Sequence, residues 1–207
     1  MRVNNFTLKI AVASGTAILL AAGIAGVLAH GSTQRQSNAA NPDPLAAVRA
    51  ATGRYHTLSV AEGNGYSLLK DKAGIACIAN PGVGAMGVHY VNGDLVKSGQ
   101  VEPSTPQALV YAPAEHGQLR LVAVEYVVFQ EEWDATHHAP PVLFGQSFMV
   151  TPDGNRFGLP AFYSLHAWIW KANPAGMFSM WNSQVSCASA APGVSSPDPT
   201  HHVPVFS

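Results

Sequence analysis

Hydrophobic and polar positions change their spacing along the chain. Residues near the start of the folded part recur every three or four positions, namely Leu45, Val48, Thr52, Tyr55, Leu58 and Glu62. This spacing places them on one face of a helix. Asp43 and Pro44 suit the capping position and the first helical position. The pattern predicts an amphipathic helix over residues 43–62, with Gly53 as its weakest point.

The rest of the chain consists of β-prone apolar runs separated by turn residues. These runs are MGVHYV (86–91), ALVYA (108–112), LRLVAVEYVVF (119–129), FMV (148–150) and FYSLHAWIW (162–170). Asn92–Gly93 after the first run predicts a tight hairpin. This order of one helix followed by several strands predicts an α+β fold, with the N-terminal amphipathic helix packed on a mainly antiparallel sheet or half-barrel. A closed barrel is the alternative.

Residues outside the predicted domain of 45–187 have other compositions. Arg2 and Lys9 precede an uncharged apolar run from 10 to 29, with small residues before His30. Residues 1–29 therefore predict a signal peptide, and an uncleaved N-terminal anchor formed by 10–29 is the alternative. Residues 30–44 predict a polar linker, and 188–207 predict a disordered tail.

The composition limits the partners. Charged residues make up 11% of the chain and the formal net charge is −1, so no nucleic acid is expected to bind. A membrane is expected to be contacted only through an uncleaved N-terminal segment. The protein is expected to be exported, to the periplasm or outside the cell.

Cys77 and Cys187 are the two cysteines of the chain. In an exported protein, two cysteines predict one disulfide. The alternative is a thiol nucleophile, which needs a nearby base that the sequence around Cys77 lacks.

Ionisable residues interrupt three of the apolar runs. Glu125 lies within LVAVEYVVF, His89 within GVHYV and His166 within SLHAW. Alternation along the strand places Glu125 on the same face as Leu119, Leu121, Ala123 and Val127. A buried carboxylate must be paired, protonated or bound to a metal. Two histidines and a glutamate can bind one divalent transition metal with open coordination positions. The alternatives are a hydrogen-bonded core network and three residues at unrelated positions, and no catalytic motif assigns a reaction.

An aromatic group near the end of the domain suggests a second kind of site. Trp168, Trp170 and Trp181 are candidates to line a pocket for a small molecule. The alternative for these residues is core packing.

Five segments between residues 80 and 187 carry a resemblance that covers roughly residues 45–187: NPGVGAMGVHYVNGDLV, PQALVYAP, LRLVAVEYVVFQ, PPVLFGQSF and LHAWIWKANPAGMFSMWNSQVSC. In these segments the chain resembles a group of exported bacterial proteins with no assigned activity. The resemblance implies a bacterial, exported, single-domain protein and transfers no site residue. The leading hypothesis is an exported metal-binding protein. The alternatives are a non-catalytic module that binds a small ligand and a structural cell-envelope protein.

Overall fold

The computed structural model describes residues 43–190. The helices are α1 (Pro44–Thr52), α2 (Leu58–Gly63), α3 (Gly93–Lys97) and α4 (Gln130–Asp134), with 3-10 turns at Gly53–His56 and Glu115–Gly117. The strands are β1 (Ser67–Leu68), β2 (Cys77–Asn80), β3 (Gly84–Val91), β4 (Ala108–Pro113), β5 (Leu119–Phe129), β6 (Val142–Leu143), β7 (Gln146–Ser147), β8 (Met149–Thr151) and β9 (Phe162–Ala167). The predicted signal peptide and anchor, the linker up to residue 42 and the tail from residue 191 lie outside the described residues.

The N-terminal helix begins as predicted and then breaks. The Asp43 carboxylate accepts a hydrogen bond from the Leu45 backbone N–H at 3.0 Å, and Pro44 is the first helical residue. A single helix to residue 62 is wrong, because α1 gives way at Gly53 to a 3-10 turn and Thr57 is extended. Glycine, with its low helix propensity, is the residue at which such a break costs least.

Seven strands form an open and entirely antiparallel sheet. The order is β1-β3-β4-β5-β9-β8, and β2 pairs with β3 beside β1. The α+β class with a mainly antiparallel sheet is thus confirmed, and the closed barrel is excluded. Strands β6 and β7 form a separate two-stranded hairpin.

The predicted tight hairpin at Asn92–Gly93 is wrong. The Asn92 side chain accepts hydrogen bonds from the backbone N–H groups of Asp94 and Leu95, each at 3.1 Å, and so caps α3. Asparagine is favoured at helix N-caps as well as in hairpin turns. The connection from β3 to β4 therefore passes through a short helix.

The two faces of the sheet have different coverings. One face carries a tyrosine-rich core, in which the Tyr111 hydroxyl donates to the Tyr55 carbonyl at 2.7 Å and the Tyr66 hydroxyl to the Pro106 carbonyl at 2.8 Å. Tyr55 comes from the turn after α1, so these hydrogen bonds hold the N-terminal helices against this face. The opposite face carries the ionisable residues.

Cys77 on β2 is joined to Cys187 near the end of the described chain, as predicted. The bridge closes a loop over 110 positions of sequence. Among residues 43–190, no helix has the length and apolar character needed to cross a membrane.

Candidate functional site

The strand register brings His89, Glu125 and His166 to one face of the sheet. Glu125 on β5 lies directly opposite His166 on β9. On its other side Glu125 faces Ala108 of β4, and His89 on β3 lies opposite the next residue of that face, Val110. Because Ala108 and Val110 extend only a short way from the sheet, the longer side chains of β3 and β5 meet above β4.

A bulge in β5 corrects the predicted surroundings of Glu125. Val110 pairs with Ala123 but Tyr111 pairs with Leu121, so Val122 is an extra residue in β5. An extra residue reverses the alternation of side chains. Ala123 and Val127 share the face of Glu125 as predicted, whereas the placement of Leu119 and Leu121 there is wrong.

The three side chains are in contact and buried. The Nε2 atom of His89 lies 3.4 Å from Oε2 of Glu125 and 3.4 Å from Nε2 of His166. The Nδ1 atom of His166 lies 3.4 Å from Oε1 of Glu125. Glu125 is 8% exposed and each histidine 3%. The structure thus unites all three predicted residues in one cluster.

Burial controls the charges of this cluster. It lowers the pKa of His89 to about 4, with Glu125 acting to raise the value and His166 to lower it further. Burial also lowers the pKa of His166 to about 4. Both imidazoles are therefore neutral at pH 7, the form that binds metal ions.

Glu125 experiences the opposite effect. Burial raises the pKa of its carboxyl group, while His89 and a hydrogen bond from Ser164 act to lower it. The carboxylate therefore lacks a full positive partner among the described residues around it. A bound cation would stabilise its ionised form.

The arrangement fits a metal ion. One ligand atom from each of the three residues lies within 4.8 Å of the others. Two atoms bound to one zinc-like ion at about 2.1 Å in tetrahedral geometry lie about 3.4 Å apart, which matches the distances from His89 Nε2 to its two partners. Two imidazoles and a carboxylate leave further coordination positions open. The cluster could hold a divalent metal.

A cavity of ≈250 Å³ adjoins the cluster and was missed by sequence reasoning. His89, Glu125 and Ser164 line it, and its other polar lining residues are Lys97 and Thr151. Its apolar lining includes Val91, Val96, Val127, Phe129, Leu159 and Phe162. Several of these lining residues could have been predicted from the alternation of side chains along a strand. Val127 and Phe129 follow Glu125, and Ser164 and Phe162 precede His166, at two-residue steps that keep them on the same face.

The three candidate tryptophans lie apart from this cavity. Trp168 is 2% exposed and donates from Nε1 to the Ser179 carbonyl at 2.6 Å. Trp170 lines a different cavity of ≈570 Å³, which neither Trp168 nor Trp181 lines. The strand predicted to continue to residue 170 ends at Ala167. A small-ligand pocket formed by all three tryptophans stays a prediction.

Comparison with protein-family models, curated proteins and solved structures gave no match.

Proposed function

We propose that this chain is an exported bacterial metal-binding protein in which His89, Glu125 and His166 bind one divalent transition metal. The observation that carries the proposal is the approach of three buried ligand atoms to within 4.8 Å of one another. The cluster supplies two neutral nitrogen donors and one carboxylate oxygen. This donor set suits a zinc, iron, manganese or copper ion.

Buried polar groups are costly unless they are paired, and this supports the metal as the partner. The His89 Nδ1 atom is buried and has no hydrogen-bond partner among the described residues. A metal at Nε2 would not satisfy this nitrogen, so the support for a metal comes from Glu125, whose buried carboxylate lacks a full positive partner among the described residues. Metal bonds at Nε2 of His89 and His166 would offset part of the cost of burying these groups.

Export is supported by the disulfide, because such bridges persist in oxidising compartments. The predicted signal peptide and the resemblance to exported bacterial proteins agree with it. No nucleic-acid partner is proposed, and membrane contact is limited to an uncleaved N-terminal segment.

Metal analysis of the purified protein tests this proposal. We expect one equivalent of Zn²⁺, Cu²⁺, Mn²⁺ or Fe²⁺ after equilibration and removal of free ion. The binding metal should also raise the midpoint of thermal unfolding, since an ion at 1,000 times its Kd adds about 4 kcal/mol to the free energy of unfolding.

Variants of the ligands localise the ion. His166→Ala and Glu125→Gln should lose the stoichiometric metal, whereas His138→Ala, which removes an exposed imidazole elsewhere, should keep it. Glu125→Gln preserves side-chain volume, and circular dichroism of each metal-free variant checks that it is folded. The proposal is contradicted if none of the four ions binds and none raises the unfolding midpoint. It is also contradicted if the Glu125→Gln variant folds and keeps its metal content.

A further inference from the structure

The apolar cavity and the cluster form one continuous site. His89, Glu125 and Ser164 all line the cavity. His166 contacts the other two cluster residues but does not line the cavity. A molecule in the cavity would therefore meet the metal ligands from the side of His89 and Glu125.

Charge determines which head group this site accepts. A divalent ion with one ionised carboxylate and two neutral imidazoles leaves a net charge of +1 at the cluster. Burying an unbalanced charge among apolar side chains is unfavourable. A monoanion at an open coordination position removes the imbalance, whereas a neutral head group leaves it.

One nitrogen of His89 stays without a partner in this arrangement. If Nε2 of His89 binds the metal, the proton of this neutral ring is on Nδ1. That N–H is a buried donor for which the described residues supply no acceptor. Because the two nitrogens of an imidazole point in divergent directions, this N–H does not donate to a group bound to the metal at Nε2, and the head group is determined by charge alone.

The cavity also defines the rest of the ligand. Beyond the cluster its lining is mainly apolar, with Val127, Phe129 and Phe162 following Glu125 and His166 along their strands. At about 30 Å³ for each water-sized group, ≈250 Å³ holds a molecule of about eight nonhydrogen atoms. Such a ligand has a short apolar body and little room for further polar groups.

We infer that the metal-loaded cluster binds a small monocarboxylate, with the carboxylate at the metal and the apolar body in the cavity. This inference rests on the proposed function, because the anion is held by the charge that the metal adds. It deepens that function by giving the chemical class of the ligand.

Isothermal titration calorimetry with hexanoate, acetate and hexan-1-ol tests the inference on zinc-loaded and metal-free protein. Hexanoate has the required size of about eight nonhydrogen atoms. We expect it to bind the zinc-loaded protein at least tenfold more tightly than it binds the metal-free protein. We also expect hexan-1-ol to bind at least tenfold more weakly than hexanoate. From acetate to hexanoate, affinity should rise up to about fourfold for each added methylene until the cavity is full.

Val127→Phe places a larger side chain in the cavity without removing a metal ligand. It should retain one equivalent of zinc and reduce hexanoate affinity to that of acetate. Val83→Phe is the matched control, because Val83 is 50% exposed and does not line the cavity; it should bind hexanoate as the wild type does. If Val127→Phe does not fold, Leu159→Trp fills the same cavity from a position outside the strands.

The outcomes separate this inference from the proposed function. The protein could bind stoichiometric zinc and yet bind hexanoate no more tightly than acetate, or bind hexanoate equally tightly without zinc. Either result overturns the monocarboxylate ligand and leaves the proposed metal site unaffected. Unchanged hexanoate affinity in both cavity-filling variants overturns the placement of the apolar body. A protein that takes up no metal overturns both proposals, and metal analysis identifies that outcome before any titration.

Discussion

Acidifying the metal-free protein tests the buried histidines directly. In the folded protein the pKa of His89 and of His166 is about 4, whereas in the unfolded chain it is about 6.5. Between these values the unfolded chain binds protons that the folded protein does not bind. The free energy of unfolding therefore falls as the pH falls through this window. A pKa difference of about 2.5 corresponds to about 3 kcal/mol for each imidazole.

Glu125 acts in the opposite direction. Burial raises the pKa of its carboxyl group, so the folded protein holds a proton that the unfolded chain has released above about pH 4.3. Acidification toward that value stabilises the folded protein through this group. One carboxyl group opposes two imidazoles, so the cluster still loses at least about 1 kcal/mol per pH unit near pH 5.5.

Urea unfolding at pH 7, 6 and 5 in the presence of a chelator measures this dependence. A double variant, His89→Gln with His166→Gln, removes both imidazoles and keeps Glu125. The wild type should lose about 2 kcal/mol per pH unit more than the double variant near pH 5.5. His138→Gln, at an exposed position, should keep the wild-type dependence. Equal slopes for the wild type and the double variant would refute the depressed pKa values.

Two further predictions concern the framework around the site. Replacing Cys77 and Cys187 with Ala opens a loop of 110 positions. In the chain-entropy model this should lower the free energy of unfolding, measured in urea, by about 5 kcal/mol. A loss below about 1 kcal/mol would show that the bridge adds little. Gly87→Ala should destabilise by about 2 kcal/mol or more, because Gly87 has φ +105° and a Cβ there would lie 2.5 Å from the Tyr111 carbonyl oxygen; thermal unfolding at the wild-type midpoint would contradict this.

Local sequence signals were sufficient where neighbouring residues decide the structure. Asp43 and Pro44 marked the start of the first helix, because capping depends on residues two or three positions away. Alternation and β-propensity located the long strand β5 at its observed bounds, 119–129. Asn92 was misread because the same residue suits a hairpin turn and a helix cap, and the chain that follows selects between them.

The site was only partly accessible from sequence. Glu125, His89 and His166 were recognisable because each is an ionisable residue in an apolar strand, where burial carries a cost that needs an explanation. Their contact depends on strand order, which places β5 between β4 and β9 and β3 one strand further away. Local periodicity carries no information about which strands become neighbours.

The sequence by itself determined the class of the fold, the cysteine pair and the three polar anomalies, because composition and local spacing suffice for these. Only the tertiary structure decided that 3.4 Å separates the anomalous side chains, that Val122 reverses the alternation before Glu125, and that an apolar cavity opens beside the cluster. Each of these depends on the register between strands far apart in the chain. That register is fixed by bulges, connecting loops and packing on both faces of the sheet at once.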